Sequence, residues 1–90
     1  MGERPVSSVG TAEYAALLTI VRRTRDKVGM TQRELSSKLR KSATYVEKIE
    51  RGVRRLDVIE FCELARAMGE DPREMFGRLA DELYPVTKSA

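Results

Sequence analysis

The amino-acid sequence predicts a single all-α domain of five short helices. Apolar residues recur at the three- and four-residue spacing of helices, two capping boxes mark helix starts, and glycine or proline follows the apolar stretches. The chain has 90 residues, of which 41% are apolar and 34% charged, so it fits one small globular domain. We expect residues 1–11 to form a flexible arm, 12–84 the folded domain and 85–90 a tail.

The first two predicted helices are separated by Gly29. Helix one starts at Thr11 or Ala12, and Gly29 ends it. Thr31 and Glu34 can form the capping box of helix two, in which each side chain bonds the backbone N–H of the other. The residues expected on the buried faces are Tyr14, Leu17, Leu18, Val21 and Val28 in helix one, and Leu35 and Leu39 in helix two.

The third predicted helix begins at Ser42, whose hydroxyl offers an N-cap, and ends at Gly52. Its inward residues are expected to be Tyr45, Val46 and Ile49.

Helix four has the best-marked start in the sequence. Asp57 and Glu60 have the spacing of a second capping box, and Leu56 and Phe61 stand at the positions of a hydrophobic staple. The helix should run from about residue 58 to residue 68, ending before Gly69. Its inward face is expected to hold Val58, Phe61, Cys62, Ala65 and Met68.

Helix five starts at Asp71 and Pro72, a cap followed by a proline at the first helical position. Its apolar stripe allows two interpretations, since it can close the core or leave part of the helix as a dimer surface. The residues of the stripe are Met75, Phe76, Leu79 and Leu83, and our candidates for the dimer interface are Met75, Leu79 and Leu83.

Composition excludes most catalytic chemistry. The chain has no histidine and a single cysteine, Cys62, so the usual zinc sites and any nucleophile paired with an imidazole are absent. We expect no enzyme, metal, cofactor or small-molecule ligand, and we expect Cys62 to be a packing residue. No segment is long and apolar enough for a bilayer, and residues 1–10 lack the core of a signal peptide, which predicts a cytoplasmic protein without a membrane partner.

Positive charge is concentrated in the middle of the chain. Residues 31–56 carry a net charge of +5 and residues 57–90 a net charge of −4, although the whole chain carries only +3. A basic block suits a phosphate backbone, and an acidic third would face away from it. Charge alone leaves open the alternative of a solvated surface with scattered lysines and arginines.

The two short helices between Thr31 and Arg51 are joined by a very short turn around Arg40 and Lys41. A short helix, a tight turn and a second short helix are typical of a helix-turn-helix, whose second helix lies in the major groove of DNA. An ordinary helical hairpin has the same periodicity, but the basic charge of this segment favours DNA.

Four segments carry a resemblance to a known family: TQRELS at 31–36, YVEKIERG at 45–52, DVIEF at 57–61 and ARAMGEDP at 65–72. In order and spacing they resemble the helix-turn-helix transcriptional regulators related to lambda repressor and Cro, called the XRE family. The match spans about residues 14–80. It implies a five-helix, lambda-repressor-like DNA-binding domain, double-stranded operator DNA as partner and usually a homodimer.

The resemblance also implies site residues. Gln32 would contact phosphate and brace the recognition helix, and Arg25 would form an ion pair with Glu50. Arg40 departs from the family's usual glycine, and its guanidinium would be free near the DNA backbone. Residues expected to contact phosphates and bases are Lys41, Ser42, Ala43, Thr44, Glu47 and Lys48, followed by Arg51, Arg54 and Arg55 as backbone contacts.

Three positions depart from the family pattern. Ser36 stands where alanine is usual, Arg40 where the turn usually has glycine, and Ala43 where glutamine is frequent. Arg40 in a left-handed turn would cost about 1 kcal/mol relative to glycine. Ala43 cannot make the paired hydrogen bonds of a glutamine to adenine, so the preferred base sequence is left open.

The combined interpretation is a sequence-specific DNA-binding transcriptional regulator, expected to repress from a palindromic operator as a dimer. The alternative from another class is a helical protein-interaction module, antitoxin-like or an adaptor, whose basic face binds an acidic partner.

Overall fold

The computed structural model describes residues 10–85, which form five α-helices and no strand. The all-α prediction is therefore confirmed for this part of the chain. Most of the predicted arm and tail, residues 1–9 and 86–90, lies outside the described residues. The helices are α1 (Ala12–Val28), α2 (Gln32–Lys38), α3 (Tyr45–Glu50), α4 (Val58–Ala67) and α5 (Pro72–Leu83).

Local side-chain caps set most helix starts, as the sequence predicted. Both capping boxes are present: the Thr31 hydroxyl accepts from the Glu34 N–H at 3.0 Å, and Asp57 accepts from the Glu60 N–H at 2.7 Å. Asp71 caps α5 by accepting from a backbone N–H of its first turn. These bonds satisfy amide groups that have no partner inside their own helix.

The start of α3 differs from the prediction. The sequence placed the N-cap at Ser42, but the helix begins at Tyr45, and Thr44 precedes it without a side-chain cap. The Ser42 carbonyl accepts from the Tyr45 N–H at 3.0 Å, so a separate turn occupies the residues assigned to the first turn of the helix. The prediction of Ser42 as a helix cap was wrong.

The core lies where the five helices meet. Its fully buried large side chains come from every helix, with α5 packing on α1 and α4. They are Val21, Leu35, Val46, Ile49, Leu64 and Met75.

Three of the inward residues predicted for α1 and α4 lie outside this core: Val28, Val58 and Cys62, which is only half-buried although it was expected to be a packing residue. Val58 is 73% exposed, although it shares a helical face with the buried Phe61, because it lies at the rim of an open groove. Val28 is also exposed, in the last turn of α1. The prediction missed Leu64, which fills the interior instead.

The burial of α5 overturns part of the predicted dimer surface. Met75 and Leu79 are buried within the single chain and Leu83 is half-buried, because this side of α5 packs on α1 and α4. The side chain that faces solvent is Phe76, which is 57% exposed. Met75 therefore closes the core and offers no area to a partner, while the buried Leu79 also lines an apolar groove beside Phe76.

A long-range hydrogen bond fixes the segment between α3 and α4. The hydroxyl of Tyr14, near the start of α1, accepts from the Leu56 N–H at 2.8 Å in a buried position. The start of α4 is thereby held against α1. None of the helices within residues 10–85 has the length and apolarity needed to cross a membrane.

Replacing Met75 with alanine should lower the free energy of unfolding by about 2–5 kcal/mol, because it leaves a cavity in the core. Phe76→Ala, at the next position of α5, should cost much less because most of that side chain is exposed. Urea denaturation followed by circular dichroism, at concentrations where the chain is monomeric, measures both. Equal losses would contradict the orientation of α5.

Candidate nucleic-acid interface

The turn between α2 and α3 is held by backbone hydrogen bonds around Arg40. This residue has a φ of 59°, the only positive φ outside glycine among the described residues. The N–H of Arg40 bonds the Ser37 carbonyl at 2.9 Å, and the N–H of Lys41 bonds the Ser36 carbonyl at 2.9 Å. This pair of bonds is a Schellman motif, which normally has glycine at the left-handed position. The arginine at this position presents a guanidinium on the exposed turn.

A buried carboxylate braces α3 against the two preceding helices. Glu50, at the end of α3, accepts from Arg25 Nε at 2.7 Å and Nη2 at 3.0 Å, and from Gln32 Nε2 at 2.8 Å. Arg25 belongs to α1 and Gln32 to α2, so one side chain joins three helices. The predicted ion pair is present, and Gln32 does contact the end of α3.

This ion pair is largely withdrawn from water. The side chains of Arg25 and Glu50 are 12% and 7% exposed. The hydrogen bond to Glu50 raises the pKa of Arg25, and burial opposes that rise. Arg25 also donates to the Met30 carbonyl at 2.9 Å, which fixes the loop before α2. Breaking such a pair by removing one partner typically costs about 3–5 kcal/mol.

The helix that this brace positions has two distinct sides. Tyr45, Val46 and Ile49 are buried, while Lys48 and the residues of the preceding turn are exposed. Lys48 makes no salt bridge within the described residues, so its ammonium is available to a partner. The predicted contact residues brought together on the exposed side are Lys41, Ser42, Ala43, Thr44, Glu47 and Lys48.

Glu47 is neutralised by a neighbour one helical turn away. Its carboxylate accepts from Arg51 Nε at 2.6 Å, across the exposed side of α3. The ion pair reduces the repulsion that an isolated carboxylate would exert on a phosphate.

Two residues that the sequence reasoning missed belong to the same surface. An open groove beside the turn is lined by Arg33 and Ser37 of α2 together with Glu34, Arg40, Lys41 and Ala43. Arg33 and Ser37 are four residues apart on one helix, so both point to the groove. Helical spacing from Arg33 through Ser37 to Arg40 could have revealed this cationic edge.

Arg54, predicted to contact the DNA backbone, has several partners inside the chain. Its guanidinium bonds Glu60 at 2.8 Å and the Arg55 carbonyl at 2.9 Å, and it lies 4.8 Å from the centre of the Tyr45 ring. The Lys41 ammonium lies 5.4 Å from the same ring. Burial is the main cause that raises the pKa of Tyr45. Because its guanidinium bonds Glu60 of α4, Arg54 ties the loop after α3 to the start of α4 in the free chain.

The described residues contain no cluster of three or more side chains suited to a metal ion. Cys62 is a half-buried free thiol, more exposed than a core position.

The tight turn, the brace and the exposed second helix define the chain as a helix-turn-helix protein. The sequence model of the helix-turn-helix family (HTH_3) matches residues 21–75. The chain therefore belongs to the XRE family of helix-turn-helix proteins, whose members are DNA-binding regulators.

The solved structures similar to this chain include the following two. An XRE-family like protein from Pseudomonas syringae pv. tomato str. DC3000 has 39% sequence identity and a TM-score of 0.75, over 82% of this chain and 89% of that one. A hypothetical transcription factor, NHTF, from Neisseria has 21% identity and a TM-score of 0.63, over 83% and 85% of the two chains. At 21% identity, the similarity to the Neisseria protein shows a shared fold only. No curated protein matches the sequence.

The ion pair between Arg54 and Glu60 predicts how the free energy of unfolding depends on pH. The hydrogen bond from Arg54 is the main cause that lowers the pKa of Glu60. A carboxyl group whose pKa is lower in the folded chain than in the unfolded chain stabilises the fold. This stabilisation is fully present above the pKa of the group in the unfolded chain, and it is lost as pH falls through the pKa of the group in the folded chain. Glu60→Gln keeps a residue suited to the capping box but removes the charge. It should therefore lower the free energy of unfolding by about 1 kcal/mol at neutral pH and by less in acid.

Urea denaturation between neutral pH and pH about 3 measures this difference, since the range covers the titration of carboxyl groups. Glu63→Gln is the matched control, because Glu63 lies on α4, is exposed and makes no salt bridge within the described residues. A Glu60→Gln effect that did not shrink in acid would show that charge is not its cause.

Proposed function

We propose that this chain is a sequence-specific transcriptional regulator that represses by occupying a partly palindromic operator as a homodimer in the cytoplasm. One observation carries the proposal: the buried Glu50 carboxylate holds α3 so that its polar side and the cationic turn share one exposed surface. A short helix held in this way can enter the major groove with its side chains already oriented.

The exposed side of α3 has the chemistry needed to distinguish bases. Lys48 can donate to the O6 and N7 acceptors of guanine, and Thr44 offers a hydroxyl and a methyl group. Ala43 can make apolar contact with a thymine methyl group. Glu47 can accept from cytosine N4 if Arg51 moves from the carboxylate to a phosphate. Base recognition is therefore assigned to these residues.

Phosphate binding is assigned to the groove beside the turn. Arg33, Arg40 and Lys41 supply three cations, and Ser37 supplies a hydroxyl. Each phosphate that such a cation neutralises releases counterions, so affinity should fall with salt for every DNA sequence. Contacts of this kind place the protein on the duplex without selecting a base.

Dimerisation is proposed because a single six-residue recognition helix contacts few base pairs. Since Met75 and Leu79 are buried, the surface we propose is the apolar groove where α4 and α5 begin. Val58 and Phe76 line it with Leu17 and the buried Leu79, and among residues 10–85 Asp57 is the only charged residue that lines it. The ring of Phe76 packs edge-on against the ring of the buried Phe61, with 6.2 Å between the ring centroids.

A second copy is the occupant we propose for this groove. Val58 and Phe76 are 73% and 57% exposed, which is costly in water for adjacent apolar side chains. A two-fold axis would bring the same apolar surface from each copy together without burying a cluster of charges.

Lys48→Ala should lower affinity for the preferred duplex about tenfold or more and flatten the base preference at one position of each half-site. Arg33→Ala should weaken preferred and scrambled duplexes alike and reduce the slope of affinity against salt concentration. Selection from a random duplex library supplies the preferred duplex, and competition binding at fixed salt measures both effects.

The matched control is Arg73→Ala, because Arg73 is a highly exposed cation of the acidic C-terminal third. It should leave the base preference unchanged. A Lys48→Ala protein with full affinity and full preference would contradict the assigned recognition surface. A wild-type chain that binds DNA without any base preference would favour the protein-interaction alternative.

Phe76→Asp should give a folded monomer with weak operator binding, because it places a charge at the centre of the proposed dimer surface. Tyr84→Asp is the control, since Tyr84 is an exposed aromatic residue at the end of α5 that does not line the groove. Sedimentation and DNA binding measure both variants.

Inserting about five base pairs between half-sites should abolish cooperative binding, because it turns one half-site to the opposite face of the duplex. A wild-type protein that is monomeric both free and on a full operator would refute the dimer.

A further inference from the structure

Ser36 forms an unusual contact between the two helices of the motif. It lies on α2, fully buried, and its hydroxyl oxygen accepts from the backbone N–H of Val46 at 3.0 Å. Val46 is the second residue of α3 and is also fully buried. The bond therefore spans ten residues and reaches the first turn of the proposed recognition helix.

The first turn of α3 has no cap of its own. Thr44 stands at the N-cap position with a φ of −100° and a ψ of 7°, and its side chain makes no capping bond. The first amide, of Tyr45, bonds the Ser42 carbonyl. The next, of Val46, is buried away from water and is satisfied by Ser36. A buried amide without an acceptor is costly, so this hydroxyl does what an N-cap side chain normally does.

Ser36 also holds the preceding turn. Its carbonyl accepts from the Lys41 N–H at 2.9 Å, as part of the motif that closes α2. One residue thus bonds both ends of the segment 41–46. Close packing of the helices at this position requires only a small side chain, and alanine would meet that requirement as well as serine does. Packing does not account for the hydroxyl.

We infer that Ser36 is a positioning residue for DNA recognition, because its hydroxyl caps α3 from the neighbouring helix and sets where the exposed turn lies relative to Lys48. The inference rests on the proposed function. It assigns Ser36 to base discrimination without contact to DNA. Loss of the bond should let the first turn of α3 move in the free protein, and this freedom must be lost when a specific site is bound.

The test compares Ser36→Ala with Thr24→Val. Thr24 is a matched control because its buried hydroxyl donates to the Ile20 carbonyl at 2.8 Å, a bond that stays within α1. For each protein, affinity is measured for the duplex that the wild-type chain selects from a random library and for a scrambled duplex. Ser36→Ala should lower the ratio of the two affinities about tenfold, since the freed amide has no other acceptor. Thr24→Val should leave the ratio unchanged.

This ratio separates positioning from mere stabilisation. Lost stability reduces the folded fraction and weakens both duplexes alike, so a folded Ser36→Ala protein with an unchanged ratio overturns the inference. If Ser36→Ala fails to fold, Ser36→Cys, which keeps a weaker acceptor, is measured in its place, with a lowered ratio expected and an unchanged one again overturning it.

Hydrogen exchange in the wild-type chain provides a second measurement. The Val46 amide should be strongly protected, and exchange as fast as that of Thr44 would overturn the inference. A wild-type chain with no base preference refutes the proposed function instead, and the two failures are thereby distinguished.

Discussion

The orientation of α3 depends on the Glu50 carboxylate. This group receives hydrogen bonds from Arg25 of α1 and Gln32 of α2, in a position nearly closed to water. A carboxylate buried in this way must be paired, because removing Arg25 would leave Glu50 with only the neutral amide of Gln32 as a partner. The bidentate geometry restricts rotation more strongly than a single contact would. The end of the helix is therefore held by electrostatics, while its apolar side is held by packing.

The opposite end of α3 is held by different means. A left-handed arginine closes α2, a turn of backbone bonds follows, and a serine from α2 satisfies a buried amide of α3. Neither Arg40 nor Ser36 is the residue usual at its position in the family. Glycine would adopt the turn at lower cost, but it has no guanidinium to offer a phosphate. Local backbone strain and cationic charge are thus found at the same residue.

Charge is distributed to match this geometry. The basic block of residues 31–56 coincides with α2, the turn, α3 and the loop that follows, whereas the acidic third forms α4 and α5. Not every cation of the block is equally available. Arg54 is engaged by Glu60 and Tyr45, and Arg51 by Glu47, while Arg33, Arg40 and Lys48 make no salt bridge within residues 10–85. Charge counted along the sequence therefore overstates the cations presented to a partner.

The sequence by itself determined where four of the helices begin, because a capping bond joins residues two or three positions apart and needs nothing from the rest of the chain. The resemblance of its motifs also anticipated the family and the Arg25–Glu50 pair. Only the tertiary structure decided that α3 starts at Tyr45, since the buried amide of Val46 in its first turn is capped by Ser36 of α2. It also decided that Met75 is buried while Val58 is exposed. Both lie on apolar helical faces, and burial depends on whether another helix covers that part of the face, which periodicity along one helix does not encode.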